Sequence, residues 1–272
     1  MTVRLIVNAD DYGRTAAVDE GIRAAHLEGI VTSTSAMMNL PGVEDELRLA
    51  LKQTPALGLG VHLVLTSGRP LLPPEQVRSL VDADGNFWRP GAFLERLASL
   101  DPDQVRAEWR AQVEKFRGAT GRNPTHLDSH HHASYFSEML FSAMLELADE
   151  CQAPIRNPLA DSGKQGFPAE LMNSVREFVP HLMAEHRSRR PDHFVCDFYD
   201  QGATKASLLA ILDSLHEGTT EIMTHPGLYT DELARLSSYA AQREIEFQIL
   251  TDAEVAEAVS QKGIELITFA AL

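Results

Sequence analysis

The chain is poor in cysteine, poor in positive charge and without any long apolar run. Cys151 and Cys196 are its two cysteines in 272 residues, too few and too far apart for a disulfide framework or a cysteine-based zinc site. Lys and Arg number 24 against 39 Asp and Glu, a formal net charge of −15. Nucleic acid and anionic membrane surfaces are recruited through a basic face. No Lys/Arg cluster supplies one, so neither is expected as a partner. No stretch approaches the roughly 20 apolar residues of a membrane span. The apolar run from Val3 to Val7 is too short for a secretory signal core, and Asp10 and Asp11 soon follow it. The expectation is a cytoplasmic protein acting on a neutral or weakly cationic small molecule.

Hydrophobic residues make up 44% of the chain, with 17 glycines and 14 prolines. That suits one large domain over residues 1–272, without repeats or low-complexity tracts. Short apolar runs alternate with longer helical patterns, the mark of βα units and a parallel sheet. Strands are expected at Val3–Asn8, Thr32–Met38, Gly58–Leu65, Pro124–Ser129, Ala153–Arg156, His193–Phe198, Glu221–Thr224, Phe247–Leu250 and Ile264–Phe269. Helices are expected at Thr15–Glu28, Pro102–Gly118, Ser137–Glu150, Pro168–His186, Thr204–Leu215 and Thr230–Arg243. The fold class is α/β. Seven to nine strands favour a (β/α) barrel, regular or irregular, over an open doubly wound sheet. The non-periodic stretch Thr66–Gly91, with Phe87 and Trp88, reads as a lid or binding loop.

Four expected strands run into residues capable of metal or proton chemistry. They lead to Asp10-Asp11, to His62, to His130-His131-His132 and to His225-Pro226-Gly227. All strand ends of a parallel barrel open on one face, which would gather these side chains. Each signal alone has a plain structural reading: a turn or helix cap, a core histidine, a surface histidine cluster. The stretch from His126 to His132 resists that reading best. In an extended chain His126, Asp128, His130 and His132 share one face, and four ionisable groups on one face are poor core material. One carboxylate with two imidazoles would form an open catalytic metal site. Such ligands suit zinc and also divalent iron, cobalt or manganese. The same set occurs in non-haem iron oxygenases, and a hydrolase of another acyl substrate is a further alternative. The second aspartate separates them, because hydrolysis needs a base beside the metal and oxygen chemistry does not.

The ordered segments Asn8–Gly13, Gly60–Leu63, Pro124–His132 and His225–Gly227 resemble the motifs of the YdjC-like carbohydrate deacetylases, a family that includes chitooligosaccharide deacetylases. The likeness continues through Ile30–Ser35 and, more weakly, Gly263–Ile267. The resemblance implies a (β/α)-barrel-like fold, a homodimer, an acetylated amino-sugar substrate and one divalent metal ion, zinc or magnesium. Carried over motif by motif, it implies Asp11, His62 and His130 as ligands, Asp10 as general base and His225 as general acid. Arg156 matches a family arginine expected near the substrate. Tyr12, Trp88, Asp128 and His132 complete the expected substrate contacts, Asp128 also being able to orient a ligating imidazole. Tyr12 stands where phenylalanine is common, and Ala133-Ser134 departs from the usual valine and histidine.

Overall fold

The structure is a computed structural model that describes residues 2–159, 169–186 and 188–272. Its elements run β1 (Val3–Tyr12), α1 (Ala16–Glu28), β2 (Ser33–Ala36), α2 (Val43–Gln53), β3 (Gly58–Leu63), α3 (Pro90–Glu95) and α4 (Pro102–Thr120). Then follow β4 (Leu127–Ser129), α5 (Glu138–Cys151), α6 (Ala169–His186), β5 (His193–Val195), α7 (Lys205–Asp213) and β6 (Gly218–Thr224). The last are α8 (Asp231–Leu236), α9 (Ala240–Leu250), α10 (Ala253–Gln261) and β7 (Glu265–Leu266). Several helices start where the sequence offers a cap. Thr15, Asp101 and Ser137 each accept a main-chain N–H of the first turn, and Pro102 follows the second of these.

The sheet is parallel throughout, in the order β4-β3-β2-β1-β6-β5, with β7 joined to β1. Beyond β4, Ile155 makes a single parallel bridge to Leu127. The Ile155 N–H donates to the Arg189 carbonyl at 2.9 Å. Asn157 Nδ2 donates to the carbonyls of Pro191 and Asp192, just ahead of β5, at 3.2 and 3.0 Å. The two edges of the sheet therefore meet through a few bonds, and the result is an irregular (β/α) barrel. Central β1 is apolar on both faces, with Leu5, Ile6 and Val7 fully buried, as expected of a strand covered on both sides.

Some expectations are corrected. Phe247–Leu250 is the end of α9 and not a strand: four apolar residues cannot by themselves distinguish a strand from a helix turn. Ala153–Arg156 contributes one bridge and no regular strand. The helix expected at Thr230–Arg243 is two, α8 and α9, separated by Ser237–Tyr239. Pro168, the expected start of α6, lies outside the described residues. The Thr66–Gly91 stretch is a wall tied down along its length. Buried Glu108 accepts the N–H groups of Leu71 and Leu72 at 3.0 Å each. Gln104 accepts both the N–H and the hydroxyl of Ser79. Among the described residues no helix is long and apolar enough to cross a membrane.

Candidate active site

The side chains singled out from sequence meet at the C-terminal ends of β1, β3, β4 and β6. On β1, Asn8 and Asp10 share a face by strand alternation. Asp11 then takes a left-handed backbone, φ 72°, a conformation aspartate tolerates better than most residues. That break in alternation puts two adjacent carboxylates in the same site. The Gly13 N–H donates to buried Asp19 at 2.6 Å and holds the turn that follows. On β3, His62 is the register partner of Asp128 on β4, and His62 Nδ1 lies 2.8 Å from Asp128 Oδ1. The Ser35 hydroxyl donates to Asp128 Oδ2 at 2.9 Å. After β4, His131 and His132 are both left-handed, φ 54° and 55°. Ser129 clamps this loop by accepting the Ser134 N–H at 3.0 Å.

Asp11 Oδ1 lies 3.0 Å from His130 Nδ1 and 3.5 Å from His62 Nε2, and the two imidazole nitrogens are 3.3 Å apart. All three side chains are buried, and their ligand atoms lie within 4.8 Å of one another. No hydrogen bond reaches Asp11 Oδ1 among the described residues. A buried carboxylate oxygen without a donor, facing two imidazoles, fits a divalent cation. Asp128 takes the far nitrogen of His62 and leaves Nε2 to face that point, the usual carboxylate–histidine arrangement behind a metal. Asp10, His62 and Asp128 also lie close together. That trio is already satisfied, because Arg156 bonds Asp10 and sits 3.0 Å from Asp128.

The electrostatics divide the carboxylates. Burial pushes Asp10 upward, but the Arg156 guanidinium overrides it and holds the carboxyl well below its usual range. Arg156 donates to Asp10 through Nη1 and Nη2, at 2.8 and 2.6 Å, and through Nε to Glu221 at 2.7 Å. Burial also opposes charge on Asp11, and His130 with Arg243 overcomes it. Burial lowers His130, while at His62 the neighbouring Asp128 outweighs burial and the pKa rises. His225 is pushed down to about 4, chiefly by burial.

A cleft of about 1270 Å³ opens over these residues. Asp82, Phe87 and Arg89 form one side of it, and Tyr199, Leu236 and Tyr239 line it elsewhere. Asp10, Asp11, His62, His130, His132 and His225 all border it. Tyr12 does not: its ring is fully buried in the core, and its hydroxyl donates to the Glu46 carbonyl and accepts from Arg23. Trp88 is half-buried behind the wall, its indole N–H on the Ser79 carbonyl and Arg96 stacked 4.1 Å over its ring. Asp128 and Arg156 are also fully buried and do not line the cleft. Sequence reading missed Glu221, Arg243 and Glu246. For the last two a signal existed, since Ala240, Arg243, Glu246 and Ile249 recur every three residues and all are buried on α9. Charged residues in such a stripe point inward to partners.

The sequence model of the YdjC-like protein family matches residues 4–261. A carbohydrate deacetylase of Thermoanaerobacter pseudethanolicus is 39% identical over 98% of both chains. A chitooligosaccharide deacetylase of Proteus mirabilis is 34% identical over 97% of both. A crystal structure from Enterococcus faecalis V583, described as a cellobiose-phosphate cleavage protein, superimposes with a TM-score of 0.87 at 35% identity. It covers 100% of this chain and 99% of that one. With that match over most of its length, the chain belongs to the YdjC-like family.

Proposed function

We propose that the protein is a metal-dependent hydrolase, a single domain over residues 1–272, that removes the acetyl group from a short N-acetylated amino sugar. The observation that carries this reading is the donor-free Oδ1 of Asp11 between His62 and His130, with a second ionised carboxylate, Asp10, beside it. Asp11, His62 and His130 would hold one divalent ion, zinc or magnesium. Such an ion lowers the pKa of its water towards about 7 and polarises an acyl oxygen.

The chain's own residues supply the rest. Asp10, fixed by two bonds from Arg156, accepts the proton of the attacking water. His225, across the cleft floor, delivers a proton to the departing nitrogen, without which the amide C–N bond does not break readily. Burial keeps His225 neutral at rest, so it first takes up a proton from solvent. It passes that proton to the nitrogen as the C–N bond breaks, while Asp10 releases to solvent the proton it took from the water. Amine and acetate are the products. The fixed wall at Asp82–Arg89 bounds the cleft, which suits a mono- to trisaccharide better than a polymer chain. Acetate release from N-acetylglucosamine, diacetylchitobiose and polymeric chitin, with and without chelator, tests the reading. Expected is chelator-sensitive release, fastest from the short sugars. Release that survives exhaustive chelation would remove the metal, and faster turnover of the polymer would remove the short substrate.

A further inference from the structure

Two buried ionisable residues on α9 have no role in the chemistry described so far, and each touches one side of the reacting centre. Arg243 is 2% exposed. Its Nη2 donates to Asp11 Oδ2, while Nε and Nη1 meet no partner among the described residues. A guanidinium buried with so few bonds is costly unless its one partner is an anion, and here that anion is Asp11. By engaging Oδ2, Arg243 leaves Oδ1 as the oxygen that faces His62 and His130. Glu246 stands three residues later, on the same face of the helix, and is fully buried. Its Oε2 accepts the main-chain N–H of His225 at 2.5 Å, and its Oε1 accepts the Tyr239 hydroxyl at 2.6 Å. Tyr239 in turn accepts the Asp200 N–H at 2.7 Å and stacks on Tyr199, ring centroids 4.4 Å apart. Both tyrosine rings stand near that of His225, at 5.2 and 5.8 Å.

The helix that carries these charges is itself docked. The Gly227 N–H donates to the Arg243 carbonyl at 3.1 Å, and the Ile30 N–H to the Leu250 carbonyl at 3.2 Å. Gly29 packs so closely on that end that a Cβ there would lie 2.2 Å from the Leu250 oxygen. We infer that α9 braces the reacting centre, Arg243 acting as the positioning residue of the metal ligand Asp11 and Glu246 as that of His225. The inference rests on the metal-dependent reading above and assigns the two residues separable effects. Loss of Arg243 loosens the ion and spares the chemistry of the loaded enzyme. Loss of Glu246 spares the ion and slows the chemistry.

The experiment is zinc titration calorimetry on the metal-free protein, paired with acetate release at saturating zinc. The variants are Arg243→Gln, Arg243→Lys, Glu246→Ala and the milder Tyr239→Phe. Arg243→Gln is expected to weaken zinc binding roughly 10–100-fold, the usual cost of losing a partner behind a ligand, with kcat nearly unchanged. Arg243→Lys should recover a large part of that affinity. Glu246→Ala should bind zinc as the wild type does and lose roughly 10–100-fold in kcat with KM little changed. Tyr239→Phe should fall between Glu246→Ala and the wild type. Wild-type zinc affinity in Arg243→Gln would overturn the brace, as would parallel loss of affinity and kcat in both sets of variants. A metal-free wild-type protein that releases acetate yet binds neither zinc nor magnesium would instead overturn the metal reading, and the role of Arg243 with it.

Discussion

Asp10 and Asp11 are neighbours in sequence and differ in what else touches them. Asp10 has both oxygens on Arg156 and one also on Asn8, so it is fixed and ionised but has little to offer a cation. Asp11 has Oδ2 on Arg243 and Oδ1 free of hydrogen bonds among the described residues. The two roles therefore should separate on mutation. Asp11→Ala, His62→Ala and His130→Ala are each expected to strip most of the metal, read by elemental analysis, while circular dichroism shows a folded chain. Full metal occupancy in His130→Ala would take His130 out of the ligand set. Asp10→Asn should keep its metal and lose roughly 10²–10⁴ in kcat, the range for a positioned acid–base group. Metal loss in Asp10→Asn would mean that the two aspartates cannot be told apart in this way.

At the scale of elements, the sequence showed where strands end more clearly than what lies behind them. Asp10, Asp11, His62, His130 and His225 could be found because each follows an apolar run, and a parallel sheet carries such positions to one face. Arg243 and Glu246 could not be placed that way, because they reach the site from a helix and its last turn reads equally well as a short strand. Glu221 lay inside an expected strand, but nothing local to it shows that Arg156 arrives from another edge of the barrel. The Thr66–Gly91 stretch, lacking periodicity, reads from sequence as a lid or binding loop, and it does line the cleft. What holds it is side-chain bonding to Glu108 and Gln104 of α4, and no pattern within the loop reports that. Trp88 belongs to this wall and not to the cleft. Trp88→Ala is expected to leave KM for a disaccharide unchanged. It should lower stability by roughly 2 kcal/mol, less than the roughly 3–5 kcal/mol of a fully buried tryptophan. A severalfold rise in KM without loss of stability would return Trp88 to the substrate.

For the whole molecule, the buried ionisable groups make stability depend on pH in a lopsided way. Burial pushes Asp19 and Glu221 up to about 8 and Glu246 up to about 7. The folded chain keeps protons on these carboxyls that the unfolded chain releases near 4. Their contribution is complete below about pH 4 and is lost as pH rises through 7 to 8. His126 and His225 are pushed down by burial to about 4, and His132 to about 3. The unfolded chain protonates these imidazoles near 6.5, so their contribution is complete above that pH and is lost on acidification. Between pH 6.5 and 4.5 the two sets oppose each other, with His131 (down to about 3) and His130 added to the imidazoles and Glu108 to the carboxyls, and the slope should be shallow. Above 6.5 the carboxyls are joined by His62, whose raised pKa also makes stability fall as pH rises. Below 4, Asp10, Asp11 and Asp128, all held low in the fold, must protonate and stability should fall steeply. The expected outcome, with chelator present, is a melting temperature that declines from pH 6.5 to 8.5. Glu221→Gln keeps an acceptor for Arg156 and has no proton to lose, so it should flatten part of that decline. A melting temperature that rises steadily from pH 6.5 to 8.5 would show that these carboxyls are ionised in the fold, and that Arg156 faces three negative charges and not two.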